Sequence, residues 1–186
     1  MNPPEHPKTH IWLRSAAELG GVALLVFGIG LVGVWLATAV HRSPVRAGRG
    51  GLIELRIARS DRQGDVTFME ANYAGWWHCR GNDWAVQWQF QPETDQPYNV
   101  GIMVATPERT AGETLEVTVQ SATESRNEVL RTEVPDTGGA GHWQTLDFGS
   151  LLPGPGVGTL TVRPGSAGLT NLHLKRATLR PIESTK

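Results

Sequence analysis

Trp84, Val86, Trp88 and Phe90 alternate with Ala85, Gln87 and Gln89. That period-two pattern belongs to a strand with one buried face. Leu115, Val117 and Val119 alternate in the same way with Glu116 and Thr118, as do Leu160 and Val162 with Thr159 and Thr161. Further strands are expected at 98–105, 128–134, 143–148 and 172–179, with turn-forming loops at 135–141 and 153–158. From about residue 52 to residue 182, short β-rich runs are separated by Gly, Pro, Asn and Asp. No helix signature interrupts them. Eight or nine strands in that length predict an all-β domain, a two-sheet β-sandwich or jelly roll.

The first fifty residues follow a different pattern. Positions 19–40 carry no charge, and as a helix they would span roughly 33 Å at about 1.5 Å per residue, enough to cross a bilayer. A single transmembrane helix is expected there, retained as an anchor in preference to a cleaved signal peptide. The rival reading rests on Ala37-Thr38-Ala39, which fits a small-residue cleavage site. The apolar run, however, exceeds the usual signal core of about 7–15 residues. Lys8 and Arg14 precede the run, and Arg42, Arg46 and Arg49 follow it, so the basic flanks taken alone lean slightly toward keeping the C-terminal part inside, and the outside placement follows instead from the reading of the β-domain. Glu18 at its head suits the first turn of a helix. The resulting organisation is a short tail (1–18), the membrane helix (19–40), a flexible linker rich in Gly and Pro (41–51), the β-domain (52–182) and a C-terminal tail (183–186). The β-domain is expected outside the cytoplasm, in the periplasm or at the surface of a bacterial cell envelope.

Net charge is −1 and the chain has one cysteine, Cys79. The charge balance argues against a basic nucleic-acid-binding surface. A lone cysteine cannot close an intramolecular disulfide.

The chemistry concentrates in residues 76–88, which hold four of the seven tryptophans. Such crowding serves either a sandwich core or a surface on which flat ligands stack. Trp84 and Trp88 fall on the apolar side of their strand and are assigned to the core. Trp76 and Trp77 are neighbours on a strand and face opposite ways, so at most one of them can readily be core. The other is the best stacking candidate.

Catalysis is not expected. His78 beside Cys79 has the residue types of a base and a nucleophile, but sequence neighbours point apart, and no third orienting group or nucleophile elbow is present. His142 and His173 lack metal-ligand spacing and read as surface or edge-strand histidines.

The series Gly75-Trp76-Trp77, Asn82-Asp83-Trp84, Val86-Gln87-Trp88-Gln89-Phe90, Trp143-Gln144-Thr145-Leu146, Gly158-Thr159-Leu160-Thr161-Val162 and Thr170-Asn171-Leu172 resembles the jelly-roll domain of the family 6 and 35 carbohydrate-binding modules. It is similar to the variant appended to bacterial fucosidases, sulfatases and planctomycete surface proteins. The resemblance spans roughly residues 65–181. It implies a galactose-binding-like β-sandwich that is not an enzyme and that binds a glycan or polysaccharide by aromatic stacking, fixed by an asparagine leading into the last strand. On this sequence that asparagine matches Asn171, whose bland alternative is a turn residue bonded to its own backbone. Trp143 departs from the pattern. In many members a tryptophan follows the loop's Gly-Gly directly, but here Ala140 follows Gly138-Gly139. Trp143 is therefore either a wall of the site or a core residue. The candidate carbohydrate-binding residues are thus Trp76, Trp77, Trp143 and Asn171. The resemblance also implies a structural calcium, for which no ligand set stands out; Glu70 and Asp65 are merely nearby carboxylates. The competing reading is an envelope domain of the same fold that docks a partner protein and has no sugar affinity.

Overall fold

The computed structural model describes residues 43–72, 74–107, 112–121 and 127–182. The expected membrane helix at 19–40 lies outside them, and no helix among the described residues is long and apolar enough to cross a membrane. The described residues form ten strands: β1 (Val45–Arg46), β2 (Ile53–Arg56), β3 (Asp61–Ala71), β4 (Ala74–Gln91), β5 (Tyr98–Ala105), β6 (Thr114–Ser121), β7 (Asn127–Glu133), β8 (Gln144–Leu151), β9 (Gly158–Pro164) and β10 (Asn171–Pro181).

The ladders run β7-β6-β9-β4-β10-β5-β8, with β3 and β1 beside β4 and β2 beside β10. β4 is the hinge of this order. Its first part pairs with β10 through Trp77–Arg80, and its second part pairs with β9 through Val86–Phe90. One layer is therefore β3, the start of β4, β10, β5 and β8. The other is the end of β4, β9, β6 and β7. β3 accompanies β4 through both, with a register shift between Gly64 and Val66. Gly81 has φ 68° and Gly64 has φ 74°, the left-handed region that favours glycine. At Gly64 a Cβ would also come within 1.9 Å of the Asp83 carbonyl oxygen, so the two strands can approach at the crossing only over a glycine.

The core lies between the layers. Trp84, Val86, Trp88 and Phe90 are buried from β4, Leu115, Val117 and Val119 from β6, and Leu160 and Val162 from β9. The Trp88 indole N–H donates to the Arg56 carbonyl at 2.9 Å, which pays the polar cost of burying the ring. Residues 43–51 depart from the expected linker. Val45 and Arg46 pair in parallel with Phe90 and Gln91, and Val45 packs against the core. A two-residue strand gives almost no periodic signal, and the surrounding glycines masked it.

Candidate functional site

The alternation along β4 decides the fate of the tryptophan pair. Trp77 turns inward. Its ring packs edge-on to Phe68 with centroids 5.5 Å apart, its N–H donates to the Ser60 hydroxyl at 2.7 Å, and the Arg62 guanidinium lies 4.8 Å from the ring centre. At 9% exposure it is a core residue, which removes it from the stacking candidates. Cys79 follows it inward, fully buried, and burial pushes its thiol far above the usual range. His78 points the other way, so these two neighbours do not meet as base and nucleophile.

Trp76 and His78 face outward, where β10 completes the site. The ladder sets Asn171 opposite Arg80 and His173 opposite His78. The two imidazoles meet edge to face at 4.7 Å, and His78 Nε2 lies 2.8 Å from Asn171 Oδ1. An amide oxygen only accepts, so His78 carries its proton on Nε2 toward it. Trp76 lies 5.7 Å from the His173 ring and 5.9 Å from Trp143, which it meets at 67°. Trp143, immediately before β8, sits 6.4 Å from His173 on the same outer side. It is only partly buried, so it is not the core residue that one reading of the sequence allowed. Lys175 reaches over it, its ammonium 4.9 Å from the ring. The Trp76 indole N–H is buried with no hydrogen-bond partner among the described residues, as are the Trp84 indole N–H and the Tyr98 hydroxyl in the core.

The loop that carries Trp143 is held from below. Thr106 and Thr137 are both buried and bond reciprocally: each backbone N–H donates to the other's hydroxyl, at 2.8 and 3.0 Å. Gly138 then turns with φ 81°, its N–H held by Asp136 at 2.9 Å. This brings the Ala140 carbonyl to 3.4 Å from His173 Nδ1. Burial lowers the His173 pKa, the Ala140 carbonyl partly opposes that, and the neighbouring His78 lowers it further. His173 is thus poised as a neutral imidazole.

Three of the four candidates, Trp76, Trp143 and Asn171, converge on this face. His173 and Lys175 were missed. His173 was read as a surface or edge-strand residue, whereas it is 6% exposed on a strand flanked by β4 and β5. Its signal was available in the alternation of Asn171, His173 and Lys175 against Leu172 and Leu174. Among the described residues no group of three or more His, Cys, Asp or Glu side chains could hold a metal ion.

No protein-family model matches the sequence, and no curated protein matches it. The fold does have counterparts among solved structures. A β-(1,4)-mannanase of Podospora anserina, described as GH26-CBM35, has a TM-score of 0.57 at 15% identity over 74% of this chain and 29% of its own. A family 35 carbohydrate-binding module from Clostridium thermocellum has a TM-score of 0.56 at 9% identity, over 70% of this chain and 98% of its own. The mosquito-larvicidal Cry4Aa toxin of Bacillus thuringiensis also matches, with a TM-score of 0.55 at 10% identity over 72% of this chain and 24% of its own. This chain thus corresponds to under a third of the mannanase and to nearly the whole of the isolated module. At such identities the likeness is one of fold: a jelly-roll-like β-sandwich of the kind found in carbohydrate-binding modules and also in toxins.

Proposed function

We propose that residues 43–182 form a non-catalytic glycan-binding module that stacks a pyranose ring on Trp76, with Trp143 as a side wall. The observation that carries this reading is the convergence of two tryptophans, Asn171 and His173 on one outer sheet face. Sugar rings present apolar C–H surfaces to an indole and hydroxyls to polar groups, and this face offers both. The Asn171 side chain supplies the polar group beside the rings. Likeness of fold to carbohydrate-binding modules supports the same reading.

The apolar run at 19–40 would tether the module to a membrane, with the sandwich outside the cytoplasm. Single-site binding of this type is weak. Several tethered copies on one polymeric glycan raise the effective concentration and offset that weakness. A structural calcium, where the module uses one, would be seen as a rise in melting temperature on adding the ion.

One observation favours the rival role as a protein-docking domain. Trp76 and Trp143 spend part of their surface on each other, as packed interface residues do. A glycan array probed with the full-length chain separates the two. Trp76→Ala and Trp143→Ala should each weaken binding about tenfold or more, the equivalent of losing one aromatic contact. Asn171→Ala should do the same with an unchanged fold. Absence of binding to every glycan, or equal binding by all three variants, would overturn the module reading in favour of docking.

A further inference from the structure

Asn171 opens β10 with its backbone already fixed. The Gly81 N–H donates to the Thr170 carbonyl at 2.8 Å, and the ladder beyond sets Asn171 opposite Arg80 and His173 opposite His78. What the ladder leaves open is the amide torsion, which is broad and roughly two-fold for an asparagine, so that a half-turn exchanges the carbonyl oxygen for the NH2 group. His78 closes that choice. It is the diagonal cross-strand neighbour of Asn171 on the outer face, a separation that an aromatic side chain can bridge, and its Nε2 lies 2.8 Å from Asn171 Oδ1. The imidazole is itself held. It meets the His173 ring edge to face at 4.7 Å, and His173, buried on its strand, lies against Trp76 and Trp143. The NH2 group of Asn171 has no partner among the described residues.

We infer that His78 is a positioning residue of this site: it fixes the Asn171 amide with Nδ2 toward the ligand, so that the sugar is read at that point for an oxygen that accepts a hydrogen bond. This rests on the glycan-binding reading and adds to it the polarity of one contact. With its proton on Nε2, or with both ring nitrogens protonated, His78 donates to Oδ1 in the same way. The other neutral tautomer would set two acceptors against each other. Oδ1 is thereby occupied inside the protein, and Asn171 meets the ligand as a pair of donors only. A hydroxyl or an ether oxygen satisfies it. A ring lacking oxygen at that position leaves the donors unpaired, which discriminates more sharply than a missing apolar contact.

The test reads binding of the full-length chain to a printed glycan array, with melting temperature alongside, in a short series of variants. His78→Phe keeps a ring against His173 and removes the N–H; it should weaken binding about three- to thirtyfold, with a melting temperature within about 4 °C of the parent's. His78→Gln, which returns an N–H donor toward Oδ1, should recover most of that loss. In an Asn171→Ala background His78→Phe should weaken binding no further, because the histidine acts through the amide alone. Asn171→Asp still accepts from His78 but offers the ligand no donor, and it should bind as poorly as Asn171→Ala. This variant leaves the imidazole in place, so it decides even where His78→Phe lowers the melting temperature more than expected. Losses that multiply in the double variant, or full binding by Asn171→Asp, would overturn the positioning role and leave glycan binding standing. Failure of the parent to bind any glycan would overturn both.

Discussion

The two outer faces of the sandwich are built from the same strand and end in opposite states. Where β4 crosses into the second layer, its outward residues are Ala85, Gln87 and Gln89, and the neighbouring ladders bring Arg163 of β9, Glu116 of β6 and Arg131 of β7 into one row. Glu116 is 2% exposed, and both arginines hold it, Arg131 through Nη2 at 2.7 Å and Arg163 through Nε at 2.6 Å. Burial alone would raise its pKa, but the hydrogen bonds and charges of the two arginines outweigh that and hold the carboxyl below the usual range. This row has its polar atoms satisfied and flanks a polar cleft of about 550 Å³ that also takes in Gln63 and Asp83. The first layer's face holds two tryptophans, two histidines and an unpaired indole N–H instead. Buried polar groups in folded proteins are nearly always paired, yet the Trp76 and Trp84 indole N–H groups and the Tyr98 hydroxyl are all buried without a partner among the described residues, so it is the clustered rings and not the unpaired donor that set the first face apart.

The sharpest way to break this contrast is to exchange inward for outward residues on β4. Trp77→Ala or Trp88→Ala should cost about 3–5 kcal/mol, the range for deleting a large core aromatic, and both also orphan a hydrogen-bond partner. Chemical denaturation would measure it. A loss below about 1 kcal/mol at Trp77 would mean that the ring is not committed to the core.

Glu116→Ala probes the satisfied face. The fully buried case of a broken ion pair costs about 3–5 kcal/mol, but both arginines here are more than half exposed and re-solvate, so about 1–2 kcal/mol is expected. Because the folded-state pKa is depressed, the stabilisation is complete above the unfolded value near 4.5 and is lost as pH falls through the folded pKa. Acid unfolding of Glu116→Gln should therefore begin from a lower plateau and fall less steeply than that of the parent. Glycan binding should be unchanged in either variant.

How far these faces could be read beforehand depended on the kind of signal. Trp84, Trp88 and the β6 and β9 runs announced themselves because alternation of large apolar with polar residues has one physical meaning on a half-buried strand. β3 did not: in Asp61–Ala71 only Val66 is buried, so an edge strand solvated on most positions looks like a loop. Residues 79–83 look like a loop for a related reason, since Gly81-Asn82-Asp83 is turn chemistry, used here to carry one strand across from layer to layer. At the site, the sequence narrowed the Trp76–Trp77 pair to one outward ring but could not say which, because that depends on whether β10 pairs in a register that places Asn171 opposite Arg80. The histidine pair was invisible for the same reason. His78 and His173 are 95 positions apart, and only the ladder makes them neighbours.

The pair offers a pH test of the first face. His173 has its pKa depressed chiefly by burial, so its neutral form belongs to the folded state. Stability should be complete above the unfolded value near 6.5 and should decline as pH falls from there toward the folded pKa, by at most about 1.4 kcal/mol per pH unit for one proton. Melting curves collected across that window would show it, and His173→Gln should flatten the slope. A parent protein whose stability is constant from pH 7 to about pH 5 would show that His173 is solvated rather than enclosed between the tryptophans.

Trp76→Ala should have the smallest effect on folding and the largest on binding, which is where the two faces separate most cleanly. The ring is only partly buried and rests on Trp143 and His173, contacts worth about 1 kcal/mol beyond solvent. Its N–H satisfies no group in the fold, so truncation orphans nothing. A binding platform has this profile, because surface arranged for a ligand contributes little to the folded state without one. If Trp76→Ala instead destabilised the protein as much as Trp77→Ala, the outward ring would be a structural clasp between β4 and the Trp143 loop. The unpaired N–H would then be a packing defect, and the first face would hold nothing that the second does not.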